Sequence, residues 1–131
     1  MKTEIGKQEP AYRAKLKSER ADEIYLSILK CLTKDKRYRD PAFTARKMAQ
    51  ELGVTCRNVS ASIAQHTGSN YNALVNSYRL RDACRMLRSP RYAHLSAEEI
   101  GLLSGFSSRQ AFYIAFHRVY DVTPRAYRLQ G

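Results

Sequence analysis

The feature that most constrains this chain is a unit that occurs twice. Residues 43–63 and 95–116 each hold a capped short helix, a glycine-centred turn and a second capped helix. In the first copy Phe43 and Met48 flank Thr44, which makes Thr44 an N-cap inside a hydrophobic staple. Gly53 then ends that helix, because a residue without Cβ enters the left-handed conformation at little cost. Val54, Thr55 and Val59 repeat staple and cap at the next helix start. In the second copy Leu95, Ser96 and Ile100 play these parts, and Glu99 stands three residues after Ser96, as a capping box requires. Gly105 closes that helix, Phe106 and Ser107 open the next, and Gln110 sits where a second box needs it. The two glycines are 52 positions apart. Helix, tight turn, helix is a common way to hold a rod in the DNA major groove. This chain has two such rods.

The rest of the chain fits around them. Residues 1–20 mix Lys, Glu and Gln with Pro10 and show no apolar period, so they read as a mobile or partly helical arm. From Ala21 onward Ile24, Ile28 and Leu32 recur every four residues, which marks an amphipathic lead helix. The charged run Lys34–Arg39 ends it, and Asp40-Pro41 forces an extended or turn geometry. After Gly68, the stretch from Asn70 to Arg88 predicts one long helix with Tyr71, Leu74, Val75, Tyr78, Ala83, Met86 and Leu87 on one side. Arg79, Arg81, Arg85 and Arg88 occupy the other, as a solvated face or a grip on phosphates. Asp82 can pair with an arginine one turn away. Ser89-Pro90 breaks that helix, and Val122, Thr123, Pro124 and Tyr127 start a last one, with Pro124 at the favoured first position. No alternating β-pattern of useful length appears. The expected fold is all-α with seven helices. It divides into an arm (1–20), a first helix-turn-helix subdomain (21–69), a connector helix (70–89) and a second helix-turn-helix subdomain (90–131).

Charge narrows the partner. The 131 residues carry a net charge of +11, and after residue 40 all but one of the basic side chains are arginine. The fork-shaped guanidinium suits phosphates and guanine edges, so the partner expected is a polyanion, double-stranded DNA. Cys31, Cys56 and Cys84 form no CxxC pair and no signal-peptide pattern precedes them, so a reducing cytoplasmic setting is expected. No apolar run approaches the ~20 residues of a membrane span. His66, His94 and His117 lack metal-type spacing, with His66 placed as a core or helix-end residue and His94 in a loop. There is no phosphate loop, nucleophile or acid–base pair. No metal, no cofactor and no enzymatic activity are expected.

In a helix-turn-helix the second helix offers its exposed N-terminal face to base edges. In the first copy Val59 and Ile63 form the core stripe. Arg57, Ser60 and Ala61 face the other way, with Asn58 and Gln65 at the margins. In the second copy Phe112, Phe116 and Val119 form the core stripe, while Arg109, Gln110, Tyr113 and Ile114 face outward and His117 follows one turn on. Arg57 and Arg109 suit guanine, and Gln110 suits adenine. Ser60 reads weakly, and Ala61 offers only a methyl contact to thymine. Tyr113 suits a phosphate or a thymine methyl, and Ile114 a thymine methyl or a protein contact. The competing expectation keeps the fold but makes it a degenerate module for protein–protein interaction, favoured by Ala61 and Ile114.

The run from Ile100 to Arg128 resembles the C-terminal signature of AraC/XylS-type transcriptional regulators. The matching residues are Ile100, Gly105-Phe106, Ser107-Ser108, Phe112, Phe116, Val122-Thr123-Pro124 and Tyr127-Arg128. Tyr78-Arg79-Leu80 and Ala83 fit in the connector, where the match to the family's Tyr-Arg pair implies a structural role for Arg79, and Phe43, Leu52-Gly53-Val54 and Gly68 fit in the first unit. The lead-in from Tyr12, with Pro41, is more similar to the Bacteroidetes version. The resemblance implies two recognition helices entering successive major grooves on one DNA face, about 34 Å apart. It also implies a transcription activator, with RNA polymerase subunits as further partners. Two reading heads in one chain make a monomer sufficient, and the oligomeric state stays open. Family-matched base-reading positions fall on Arg57, Ser60, Ala61, Arg109, Gln110, Tyr113 and Ile114. The chain departs from the family at Gly101, where alanine is usual, at Ile114, often arginine, and at His117, often lysine.

Overall fold

A computed structural model describes residues 11–131, with side chains from Lys17 onward. Among these residues there are seven α-helices and no strand. They are α1 (Ala11–Thr33), α2 (Ala45–Leu52), α3 (Cys56–Thr67), α4 (Tyr71–Leu87), α5 (Ala97–Leu103), α6 (Arg109–Tyr120) and α7 (Pro124–Gln130). Short 3-10 segments, Lys34–Arg39 and Pro90–Tyr92, follow α1 and α4.

Helix α1 starts ten residues before the apolar period does. Residues 11–20 are mostly Ala, Lys, Leu, Glu and Arg, strong helix formers, so intrinsic propensity extends the helix where hydrophobic patterning gives no sign. The arm expected over residues 1–20 is therefore helical in its second half, and residues 1–10 lie outside the described residues.

Elsewhere the helix starts follow from their caps. The hydroxyls of Thr44, Thr55, Ser96 and Thr123 each accept the backbone N–H three residues on, at 3.0 to 3.3 Å. Asn70 caps α4 through its side-chain oxygen, 2.9 Å from Ala73 N. Each such cap contributes about 1 kcal/mol. The two turns share one hydrogen-bond pattern. Gly53 N–H donates to Gln50 O and Val54 N–H to Ala49 O, while Gly105 N–H donates to Leu102 O and Phe106 N–H to Gly101 O. Both pairs satisfy carbonyls that a helix end would otherwise leave unpaired.

Two hydrophobic clusters result. The first packs Ile24, Ile28 and Leu32 of α1 with Met48, Val59 and Ile63, and takes Tyr71, Leu74 and Val75 from the first half of α4. The second packs Ile100, Phe106, Phe112 and Phe116 with Leu80, Ala83, Met86 and Leu87 from the second half. The connector helix thus belongs to both cores, one on each half of its length.

A polar seam joins the two. The buried Asp82 carboxylate of α4 accepts the Tyr38 hydroxyl at 2.7 Å, Arg39 Nε at 2.8 Å and Arg85 at 3.0 Å. Burial alone would push the Asp82 pKa up. The Tyr38 hydroxyl, Arg85 and Arg39 outweigh it and hold the carboxyl below its ordinary value. Asp82 thus does more than pair with a neighbour one turn along. Arg79 is buried too, donating from Nε to Tyr38 O at 2.6 Å and from a terminal nitrogen to Asp40 O at 3.1 Å. At the chain's end Arg128 donates to three carbonyls, of Leu87, Tyr92 and Leu95, and so pins α7 under α4.

Candidate nucleic-acid interface

The first candidate surface is α3. Its core stripe is as expected, with Val59 and Ile63 fully buried. Ser62, also buried, donates to Ala21 O at 2.5 Å and so holds the back of α3 against α1. His66 extends this contact: it is stacked on Tyr25 at 4.3 Å, with Nδ1 2.9 Å from Ser62 O and Nε2 2.6 Å from an Asp22 oxygen. It is neither a core residue nor a simple helix-end cap. With the back fixed in this way, Arg57, Ser60 and Ala61 are exposed on the opposite face and Asn58 is half-buried beside them.

The second candidate surface is α6, and here the structure corrects two expectations. The cap is Ser108, whose Oγ accepts Ala111 N–H at 3.0 Å, not Ser107. Gly105 and the inward-turned Phe106 use up one more residue before the helix begins, so Gln110 is not placed to complete a capping box. Val119 is 60% exposed and leaves the core stripe. The buried line is Phe112 and Phe116 alone, and Tyr120, 36% exposed, lays its ring 4.7 Å from that of Phe116.

On the outer face Arg109, Gln110, Ile114 and His117 are exposed. Ile114, at 51% exposure, borders a shallow depression of about 540 Å³ shared with Tyr113, His117, Arg118 and Thr123. Tyr113 differs from its neighbours. It is half-buried, and its hydroxyl donates to Glu98 Oε1 of α5 at 3.0 Å. Arg125 of α7 donates to the same oxygen at 2.6 Å. The Glu98 carboxyl is held below its ordinary value, first by its own backbone N–H at the start of α5 and then, against burial, by Tyr113 and Arg125. Burial, reinforced by Glu98, pushes the Tyr113 hydroxyl up. Nothing in the sequence announces this meeting of residues 15 and 27 positions apart.

The arginines divide into two groups. Arg37, Arg39, Arg79, Arg85, Arg88, Arg125 and Arg128 are committed to carboxylates or carbonyls of the fold. Arg57 and Arg109, like Arg20, Arg46, Arg81, Arg91 and Arg118, have no such partner among the described residues, and of these only Arg57 and Arg109 stand at the exposed starts of α3 and α6. Guanidinium groups left open in the first turn of both helices are what an anionic surface takes up.

Comparison with known proteins agrees with this geometry. A family model described as a helix-turn-helix domain matches residues 48–130, well over half of the chain. A solved transcriptional regulator from Chromobacterium violaceum, described as an AraC-type DNA-binding domain-containing protein, superposes with a TM-score of 0.58 at 28% identity. That match covers 66% of this chain and 75% of the regulator. The chain belongs to the AraC-type helix-turn-helix family. The xylose operon regulatory protein of Escherichia coli is 31% identical over 77 residues, 59% of this chain and 19% of that protein. The structure of the xylose-binding transcription activator xylR matches with a TM-score of 0.54 at 27% identity, covering 67% of this chain and 22% of that one. The chain spans about a fifth of the length of these relatives.

Within the AraC-type pattern, Gly101 has a local reason. A Cβ there would lie 2.3 Å from the Phe112 ring, which fills the space that a side chain on α5 would take. No helix among the described residues is long and apolar enough to cross a membrane.

Proposed function

We propose that this AraC-type domain binds double-stranded DNA sequence-specifically, with α3 and α6 entering two successive major grooves, and that it regulates transcription through that binding. The observation that carries the assignment is the pair of unpartnered guanidiniums, Arg57 and Arg109, at the exposed starts of two capped helices. Arg57, with Asn58, Ser60 and Ala61, reads one half-site. Arg109 and Gln110, with Ile114 and His117, read the other, where Ile114 suits a thymine methyl. Tyr113 enters this surface only through its ring, since its hydroxyl is engaged by Glu98. Two reading surfaces in one chain make a monomer sufficient, with residues 21–69 and 90–131 as the two heads. By analogy with the xylose-binding activator, the regulation is activation, through RNA polymerase subunits at the bacterial nucleoid.

Selection from random duplexes tests the assignment. The wild-type domain is expected to return a two-part motif, and its affinity to fall steeply with salt as phosphate counterions are released. Arg109→Ala should weaken binding by about 1–3 kcal/mol and relax the choice at one guanine of one half-site. An unchanged motif would remove α6 from the groove. The competing reading, a protein-interaction module, draws on the exposed Ala61 and Ile114. It would be favoured by a selection that returns no motif and by binding abolished at modest salt.

A further inference from the structure

We infer that Glu98 is a positioning residue for the second recognition helix, gathering the Tyr113 hydroxyl of α6 and the Arg125 guanidinium of α7 onto one carboxylate. This rests on the DNA-binding reading above. Helix α6 is fixed at its start by the Ser108 cap and along its buried side by Phe112 and Phe116. A helix held at one end and along one stripe can still roll about its axis. The bond from Tyr113 to Glu98 supplies a point on the flank that opposes such a roll. Arg109 and Gln110 lie four and three residues before Tyr113 and His117 four after it, so all three share its side of the helix. Where Tyr113 is held, those side chains are aimed.

Arg125 has a second part in this device. The Glu98 side chain is only 13% exposed while that of Arg125 is 70% exposed, so the cation lies on the solvent side of the carboxylate. A bare carboxylate beside a recognition helix would repel phosphates within a Debye length of about 10 Å. Arg125 cancels that charge where DNA would approach. Tyr113 is then a residue that sets the pose of α6, and not one that reads a base with its hydroxyl.

The test combines random-duplex selection with affinity measurements on three variants of the chain. Tyr113→Phe removes the hydroxyl and leaves the ring's edge-on packing against Phe112. It is expected to blur base preference in the α6 half-site, keep the α3 half-site sharp and lower affinity by about fivefold. Arg125→Gln is expected to lower affinity by a similar factor, and adding Glu98→Gln to that protein to recover most of the loss. A Tyr113→Phe protein with the wild-type motif overturns the inference. So does an Arg125→Gln loss that Glu98→Gln leaves untouched, since Arg125 would then meet phosphates on its own account. A wild-type chain that selects no motif overturns the DNA-binding reading and this inference with it. A sharp wild-type motif beside either failed variant overturns this inference alone.

Discussion

The two turn glycines occupy equivalent places and bear different loads. Gly53 and Gly105 close the same pair of hydrogen bonds at the ends of α2 and α5. At Gly53, with φ of +68°, an added Cβ would meet nothing within 4 Å. At Gly105, with φ of +113°, it would lie 2.5 Å from Tyr38 O and 2.7 Å from Arg39 Cα. The first turn needs glycine only for its left-handed backbone. The second needs it because the backbone of the 3-10 segment passes directly against it. One copy of the motif makes a free corner, and the other uses the same corner as a joint between the two halves of the molecule.

That contrast can be broken most severely at the joint itself. Gly105→Ala is expected to destabilise the domain by roughly 4 kcal/mol, combining an unfavourable φ with a backbone clash that no side-chain rotation relieves. Chemical denaturation of the purified protein measures it. Asp82→Ala should follow at roughly 3 kcal/mol, because it strips the buried Tyr38 hydroxyl and Arg39 of their shared acceptor. The same hub makes the domain acid-sensitive. Since the Asp82 pKa is depressed in the fold, its contribution is present above the unfolded carboxylate value and lost as pH falls through the folded one. Gly53→Ala should cost only about 1–2 kcal/mol, the ordinary price of a left-handed alanine. If the two glycine variants lose the same amount, the joint does not exist.

The smallest expected effect lies in the first unit alone. Both neighbours of the His66 ring, Ser62 O and the Asp22 carboxylate, are acceptors, so both ring nitrogens carry protons when the two bonds are made. The Ser62 carbonyl raises the His66 pKa most, burial opposes it next, and Asp22 adds to the rise. With a raised folded pKa, the contribution is complete below the unfolded value near ~6.5 and disappears as pH climbs through the folded one. Thermal midpoints recorded from mildly acidic to mildly alkaline pH should show a slight decline that Asp22→Asn flattens.

Local chemistry made most of the fold legible in the sequence. Caps at Thr44, Thr55, Ser96 and Thr123, and the turns at Gly53 and Gly105, depend on residues within five positions of one another, and the structure has them as the sequence implies. The outward faces of α3 and α6 follow from helical period, apart from Tyr113. What the pattern hid depends on distant meetings. Tyr38 reaches Asp82 across 44 positions and Arg128 reaches Leu87 across 41. Val119 stands outside the core, and Tyr120, itself partly exposed, lays its ring against Phe116 and Tyr127, residues four and seven positions away. The early start of α1 was missed for the opposite reason, since propensity without amphipathicity leaves no period to find.

Helix α4 gives its first half to one core and its second half to the other, with no loop between them. A residue inserted near Asn76 would turn everything beyond it by about 100° and advance it by about 1.5 Å. One base pair of duplex DNA turns by roughly 36° and rises by roughly 3.4 Å. The two step sizes do not match, so lengthening or shortening α4 cannot track a target whose half-sites move by single base pairs. Any change in the preferred target would have to come through the bases themselves, at a phase the rigid helix holds constant.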